Sequence, residues 1–174
     1  MPDTSLGITY PASTAHTRLW EHLQELAADV NAILVNRTPL RGDGALSSLY
    51  TLTATMADLA GATVTINVPT ASAVFLARWT MAGQLMTAGN ISAVSQLLVD
   101  NVAQTPQCIW NPANVTAATG SPRGGQSQQV SGTVSGAGNH IFKLQAQRVF
   151  PTGSSGDIRL DNIHTNLSVL VLPY

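Results

Sequence analysis

The sequence predicts a mainly β protein, in which an N-terminal arm and a short coiled-coil helix precede an antiparallel β-sandwich. Three observations lead to this fold class. A heptad pattern of apolar residues occurs once, near the N-terminus. Beyond it the apolar period falls to two, which is typical of strands. Clusters of Gly, Asn and Pro separate the alternating segments at short intervals, as they do in sandwiches and barrels.

The composition excludes several classes of function. Only 10% of the 174 residues are charged, the formal net charge is -1, and Lys143 is the single lysine. Without a basic excess to neutralise phosphates, we expect no binding to nucleic acid. No apolar run approaches the roughly 18 residues of a membrane span, so no membrane association is expected. The start lacks the pattern of a signal peptide, which favours a protein made in a reducing cytoplasm.

Residues 1–13 are predicted to form an extended arm. Prolines and a glycine interrupt any helical period, while Leu6, Ile8 and Tyr10 alternate with other residues and give the arm one apolar side. Short termini of this kind are loose until they dock. The three apolar side chains are therefore the predicted anchors on a groove or sheet edge of a larger particle.

Residues 14–35 are predicted to form the helix, with Ser13 or Thr14 as its N-cap. Its apolar residues recur at alternating intervals of four and three, which forms a heptad seam made of Leu19, Leu23, Leu26, Val30 and Ile33. This seam predicts a short parallel coiled coil that joins several copies of the chain. The alternative is an ordinary amphipathic helix packed on its own domain. So short a coil is marginal alone and needs support from the domain that follows.

The remaining chain divides into a linker and a head domain. Residues 36–46 are predicted to be a turn-rich linker, because Pro39 disfavours helix at Thr38 and glycines follow. Residues 47–174 are predicted to form the β-sandwich head. The candidate strands are 50–56, 64–68, 73–81, 93–99, 107–110, 126–134, 140–149 and 163–172. Several of them, notably 74–81 and 167–172, are apolar on both faces. The simplest partner for a second apolar face is another copy of the chain.

The chemistry-bearing residues predict no catalytic, cofactor or metal site. The histidines, His16, His22, His140 and His164, are scattered, and Cys108 lies in an apolar strand where it more readily fills core. No nucleophile, phosphate or dinucleotide motif occurs, so we expect no enzyme. Asp157, Asp161 and Asn162 offer oxygen ligands but lack the spacing of a dedicated calcium loop.

Two tryptophans raise the question of sugar binding. Trp79 and Trp110 could stack on saccharide rings if their faces were exposed. Their apolar strand neighbours favour the alternative, that both pack in the core or between subunits.

The N-terminal thirty residues contain two motifs, the arm Tyr10-Pro-Ala-Ser13 and the helix segment Leu23-Gln-Glu-Leu-Ala-Ala-Asp-Val30. In these motifs the chain resembles small virion proteins of tailed phages that infect actinobacteria, described variously as minor tail, head-fibre or decoration proteins. The resemblance extends more loosely to Leu98-Val-Asp-Asn-Val102, to Gly138-Asn-His-Ile-Phe-Lys-Leu144 and to the final strand. In proteins of this type an N-terminal segment attaches to the particle, and jelly-roll or tumour-necrosis-factor-like domains form trimers outside it.

The resemblance therefore implies a jelly-roll or TNF-like head, a homotrimer and a place on the exterior of the virion. We expect a capsid decoration or short head-fibre protein, whose partners are its own copies and the major capsid protein or a tail protein. A coil of about 19 residues spans only ~28 Å and suits a short fibre. The alternative is a tail-associated receptor-binding fibre protein that grips host-surface carbohydrate.

Overall fold

The computed structural model describes residues 19–86, 91–111, 123–149 and 156–174. Within these ranges one α-helix precedes a series of β-strands. In chain order the elements are α1 (Leu19–Arg37), β1 (Leu40–Ala45), β2 (Tyr50–Thr51), β3 (Ala57–Val68), β4 (Ser72–Leu85), β5 (Ser92–Val99), β6 (Val102–Ala103), β7 (Cys108–Trp110), β8 (Arg123–Ser135), β9 (Gly138–Val149), β10 (Ile158–Leu160) and β11 (Asn166–Pro173). The arm at 1–13, with the predicted anchors Leu6, Ile8 and Tyr10, lies outside the described residues.

The strands form two antiparallel sheets, which confirms the prediction of a mainly β sandwich preceded by one short helix. In the first sheet, β11 lies between β1 and β4, and β8 pairs with the other edge of β4. The long β4 continues past β11 to pair with β10, which in turn pairs with β2. In the second sheet the order is β3-β9-β5, and β5 pairs with both β6 and β7. No described helix is both long and apolar enough to span a membrane.

The core lies between the sheets and follows from the period-two pattern. Phe75, Ala77, Trp79 and Met81 of β4 all point inwards and are almost fully buried, as the alternation predicts. Phe142 of β9 faces them from the second sheet. The rings of Phe75 and Phe142 meet edge to face, with centroids 5.3 Å apart and planes at 67°, a favoured geometry for aromatic pairs.

One side of the sandwich is closed by β1 and β3, and this closure requires glycine. Gly42 and Gly44 occupy the inward positions of β1. A Cβ at Gly44 would lie 2.8 Å from the backbone oxygen of Thr63 and 2.9 Å from its nitrogen. The two backbones therefore approach to a distance that no side chain allows.

The prediction of a linker at 36–46 is consequently wrong for most of its length. Leu40–Ala45 is a strand that pairs in register with β11, from Leu40 opposite Val171 to Ala45 opposite Asn166. Its glycines do not form turns; they allow the close approach of β1 to β3. The helix predicted to end at 35 continues to Arg37, because Pro39 restricts only the residue before it.

Two strand predictions also need correction. The predicted strand 50–56 shrinks to Tyr50–Thr51. Beyond it the chain crosses between the sheets: the Leu52 N–H donates to the Ile158 carbonyl at 2.9 Å, and the Arg148 N–H donates to the Thr53 carbonyl at 2.8 Å. The three-residue β10 was not predicted, since so short an element has too few residues to show a period.

Substituting Gly44 by Ala tests this closure. The new Cβ must push β1 away from the Thr63 backbone, and we expect the free energy of unfolding to fall by about 1–3 kcal/mol, as for other overpacked sites. Ala45→Ser on the exposed face of the same strand is the matched control and should change stability by less than about 0.5 kcal/mol. Chemical denaturation measures both. Equal stability of the two variants would contradict the proposed role of Gly44.

Candidate functional site

The predicted heptad seam of α1 is largely uncovered in the single chain. The exposed fractions of Leu23, Leu26 and Val30 are 56%, 42% and 39%. Ile33 is half-buried, and the side chain of Leu19 lies outside the described residues. Among the described elements, the main contact of α1 is with β11. The head therefore leaves most of the seam in water instead of burying it.

A second uncovered apolar surface lies on the outer face of the first sheet, at the end nearest α1. Val74 and Leu76 project from β4, and Leu172 projects from β11, each more than a third exposed. The register places Leu172 beside Val74 and Leu170 beside Leu76. These four residues, called the apolar patch below, form two adjacent cross-strand pairs. They confirm that β4 and β11 carry apolar residues on both faces.

Charged residues follow the apolar patch along the same face. Arg41 and Asp43 of β1 form an exposed ion pair, with 3.1 Å between Nε and Oδ2. Hydrogen bonds from Ser168 and from Arg41 hold the pKa of Asp43 below its usual range. Together with Arg78 of β4 they line a shallow depression of about 580 Å³. An exposed ion pair of this kind adds little stability, so the depression is a surface feature without strained or activated groups.

The tryptophans are not available for sugar stacking in this chain. Trp79 is fully buried, and its indole N–H donates to the Ser95 hydroxyl at 2.9 Å, which links the two sheets. Trp110 is only 9% exposed and lies against Gly124, where a Cβ would come within 3.2 Å of its ring. The burial of both side chains agrees with the favoured interpretation, packing in the core, and leaves no exposed ring face for a saccharide.

A chain of hydrogen bonds that was not predicted crosses the outer face of the second sheet. The Gln107 amide donates to Gln96 at 2.7 Å, Gln96 donates to Gln145 at 2.9 Å, and Gln145 donates to Asp58 at 2.6 Å. Lys143 completes the chain, because its Nζ lies 3.0 Å from Oδ2 of the same Asp58 carboxylate. The Gln145 and Lys143 hydrogen bonds lower the pKa of Asp58. Because its members satisfy one another, the chain stabilises the sheet and leaves few groups for a ligand.

His140 is the one histidine buried in the described residues, and it has two partners. Its Nδ1 lies 2.7 Å from Asp100 Oδ2, and its Nε2 lies 2.9 Å from the Gly136 carbonyl oxygen. Burial alone would lower its pKa, but the hydrogen bonds to Asp100 and Gly136 outweigh burial and raise the pKa above 6.5. Both ring nitrogens face acceptors, so the protonated imidazolium fits the site best.

Asp100 is held in turn by the chain around it. It lies with Asn101 in the tight turn between β5 and β6, where both residues have positive φ. Its Oδ1 accepts the backbone N–H of Ile141 at 2.8 Å. Desolvation would raise its pKa, but the hydrogen bonds from His140 and Ile141 outweigh that effect and lower the pKa below 3.8. The pair therefore ties this turn to the start of β9.

The remaining candidates have structural surroundings. His22 lies 3.5 Å from Glu25 on α1, and His16 lies outside the described residues. Cys108 is buried, and burial raises the pKa of its thiol, which suits a core residue. Asp157 pairs with Arg148, while Asp161 Oδ1 accepts the Ile163 N–H at 2.8 Å. Within the ranges that the structure describes, no three His, Cys, Asp or Glu side chains come together as a metal site would require.

Comparisons with known proteins identify no family for the chain. No family model matches the sequence, and no curated protein matches it. An Eiger TNF from S. frugiperda has a TM-score of 0.49 and 12% identity, over 78% of this chain and 94% of that one. The VP2 subviral particle of infectious bursal disease virus has a TM-score of 0.39 and 7% identity, over 78% of this chain and 33% of that one. A family 35 carbohydrate-binding module from Clostridium thermocellum has a TM-score of 0.35 and 13% identity, over 75% of this chain and 97% of that one. Likenesses of this size carry no conclusion about function.

The His140–Asp100 pair predicts a dependence of stability on pH. Because the pKa of His140 is raised above 6.5, its contribution is complete below pH 6.5 and is lost as the pH rises through the folded-state value. Because the pKa of Asp100 is lowered, its contribution is present above pH 3.8 and is lost as the pH falls through its folded-state value. The pair therefore stabilises the fold most between about pH 4 and 6.5.

Melting temperatures between pH 4 and 9 measure this effect. We expect the wild-type protein to lose more stability between pH 6 and 9 than Asp100→Asn, in which the imidazolium has lost its carboxylate partner. Asp43→Asn, which removes an exposed carboxylate elsewhere, should keep the wild-type profile. Parallel profiles for the wild type and Asp100→Asn above pH 6 would contradict the assignment.

Proposed function

We propose that the chain is a non-enzymatic structural protein of a phage virion, a homotrimeric capsid decoration or short head-fibre protein attached by its N-terminal arm. The observation that carries the proposal is the exposed apolar seam of α1. A heptad seam in water on an isolated chain is unfavourable, and burial of each large aliphatic side chain contributes about 1.5–3 kcal/mol. Sister helices of identical sequence are the simplest way to cover it.

The composition of the seam does not by itself fix the number of helices. Leu23 falls at an a position and Ile33 at a d position, and Leu at a with Ile at d shifts coiled coils towards three or four strands. Val30 at an a position favours two strands instead, because β-branched residues at a positions are typical of dimers. The choice of three copies therefore also draws on the resemblance of the N-terminal residues to phage virion proteins.

The placement of the helix supports attachment through the N-terminus. Only two residues separate the end of α1 at Arg37 from the start of β1 at Leu40. Leu40 pairs with Val171 at one end of the first sheet. The helix therefore joins the head at that end. This gives an order of arm, coil and head along the chain, which suits a protein held by one end on a larger particle.

A tail-associated receptor-binding protein is the second candidate. The observation that favours it is a cationic cleft at the end of the first sheet remote from α1, whose geometry is described below. A protein anchored by its N-terminus would present that end outwards.

Changing Leu23 and Leu26 together to Asp tests the coil. Each unpaired charge in an inter-helix core should cost several kcal/mol, so we expect the trimer, at three times the 18.2 kDa chain mass, to dissociate. The β-head should keep its circular dichroism signal and melting temperature. Gln24→Asp with Ala28→Asp adds the same charges on exposed positions off the seam and should leave the mass unchanged. Light scattering measures the masses. A wild-type monomer, or a Leu23/Leu26 variant that loses its β-signal at unchanged mass, would refute the coiled coil.

Deleting residues 1–13 tests the anchor. The arm precedes the helix and head, so the truncated chain should remain a folded trimer and lose its binding to phage particles. Co-sedimentation with particles that lack the protein measures binding, and light scattering checks the assembly. The full-length Leu6→Asp, Ile8→Asp variant should show the same loss with the chain length preserved. Retained binding by both variants would place the attachment elsewhere in the protein.

A further inference from the structure

A cleft of about 410 Å³ opens at the end of the first sheet where β10 joins β4. Its lining includes Leu49, Gln84, Arg123, Arg159, Asp161 and His164. We call it the distal cleft, because the head meets α1 at the other end. Its volume lies within the range of about 300–1,000 Å³ found for small-molecule sites.

Two arginines stand on either side of one residue in the cleft. Gln84 of β4 pairs with Arg123 of β8 on one side and with Arg159 of β10 on the other. Residues directly opposite in antiparallel strands share a face, so all three side chains project into the same cleft. Adjacent strands lie about 4.8 Å apart, which places the two arginine backbones about 10 Å from each other. Side chains of this length can close on a group held above Gln84.

Neither guanidinium has a partner among the residues that the structure describes. The other basic residues on the sheets, except Arg78, are paired: Arg41 with Asp43, Lys143 with Asp58 and Arg148 with Asp157. Among the described residues, Arg123 and Arg159 make no such pair. Two neighbouring guanidiniums that lack a described partner suit an anion, since each offers planar donors that match a carboxylate or phosphate.

Small residues make the room beside the arginine row. Two positions before Gln84 on the same face, β4 carries Ala82, and its neighbour on β8 is Gly125. The methyl group of Ala82 lines the cleft beside the long Arg123 and Arg159 side chains, and Gly125 next to it has no side chain to fill the space. A saccharide ring could lie there without displacing any side chain of the core.

The other groups in the cleft suit hydroxyl groups. Asp161 accepts the Ile163 N–H at 2.8 Å through Oδ1, and its Oδ2 makes no hydrogen bond within the described residues. The Gln84 amide offers both donor and acceptor atoms, and the exposed Leu49 offers an apolar contact for a ring face. An anion site beside hydroxyl partners fits an acidic sugar better than a bare inorganic ion. The single carboxylate, Asp161, opposes two guanidiniums, so the cleft keeps a positive balance.

We propose that the distal cleft binds an acidic saccharide, with its carboxylate or phosphate held by Arg123 and Arg159 and its hydroxyl groups by Gln84 and Asp161. The site lies within one chain and does not depend on the trimer. It deepens the receptor-binding candidate by naming a ligand class and residues. Along β4, Gln84 lies nine residues from Phe75, or about 30 Å at 3.3 Å per residue. The register aligns Phe75 with Val171 and Leu40, so the cleft lies at the end of the sheet away from α1.

Titration calorimetry on the full-length protein tests the site with four probes at constant ionic strength. Trigalacturonate carries carboxylates, glucose 6-phosphate carries a phosphate, galactotriose is neutral, and tetraglutamate is an acidic peptide. We expect at least one acidic sugar to bind at least tenfold more tightly than galactotriose. Tighter binding of trigalacturonate than of glucose 6-phosphate would identify the anion as a carboxylate, and the reverse would identify it as a phosphate. Equal binding of tetraglutamate would overturn the saccharide assignment.

Variants locate the binding. Arg123→Gln and Arg159→Gln should each weaken the acidic sugar by about tenfold or more, as expected for a lost charge-assisted hydrogen bond. Arg78→Gln is the matched control, because it removes the same charge from an exposed, unpaired arginine on the same sheet face. It should change the affinity less than twofold, and equal melting temperatures show that all three variants fold. No binding of either acidic sugar, or an equal loss in Arg78→Gln, would overturn the proposal. These experiments measure ligand affinity, whereas light scattering measures the mass of the assembly. A negative result for the cleft therefore does not bear on the trimer prediction.

Discussion

The head depends above all on the pairing of β4. This strand pairs with β8 along its whole length on one edge and with β11 and then β10 on the other. A central strand with both edges satisfied has no free backbone groups to template unwanted pairing. Its inward residues form the middle of the core, where Trp79 reaches across to Ser95 in the second sheet. Loss of register in β4 by one residue would exchange its buried and exposed sets and undo both sheets at once.

The same alternation that builds the core also arranges the outer face. Val74 and Leu76 form the apolar patch with β11, Arg78 stands in the charged middle, and Gln84 separates two arginines in the distal cleft. One strand of 14 residues thus sets three chemical environments in order along its length. The order matters because the apolar patch is nearest to α1 and the cationic cleft is farthest from it. Association and ligand binding can therefore use the same sheet without competing for the same residues.

The sequence predicted those elements whose pattern is local. The alternation of β4 marks Phe75 and Trp79 as inward residues without knowledge of any partner, and both are buried. The strand β1 was missed because its inward residues are Gly42 and Gly44, which have no side chain to show a period. Their function, close approach to β3, becomes visible only when β3 lies beside them. A local pattern cannot separate a glycine that turns the chain from one that admits a neighbour.

The candidate site was hidden for a related reason. Arg123 and Arg159 are 36 positions apart in the sequence, and nothing in either neighbourhood marks them as a pair. They meet because both flank Gln84, a relation that exists only in the register of three strands. The tryptophans, by contrast, are the residues that composition singles out for sugar binding, and the fold buries them. Aromatic residues in a strand of a small sandwich are needed most in its core, since few other side chains fill as much volume.

The separation of the helix from the head has a consequence for how stability is distributed. The main contact of α1 is with β11, and its seam is exposed, so the core between the sheets stands without it. Association through the seam would then add stability to the helix and leave the head's own free energy of unfolding nearly unchanged. An association that extended from the seam to the apolar patch would couple the two, because Val74 and Leu76 belong to the central strand of the head. Leu76, the patch residue of β4 nearest to the cleft, lies eight residues from Gln84, or about 26 Å at 3.3 Å per residue. The distal cleft would remain in water in either arrangement, free to meet a ligand that neither the helix nor the apolar patch contacts.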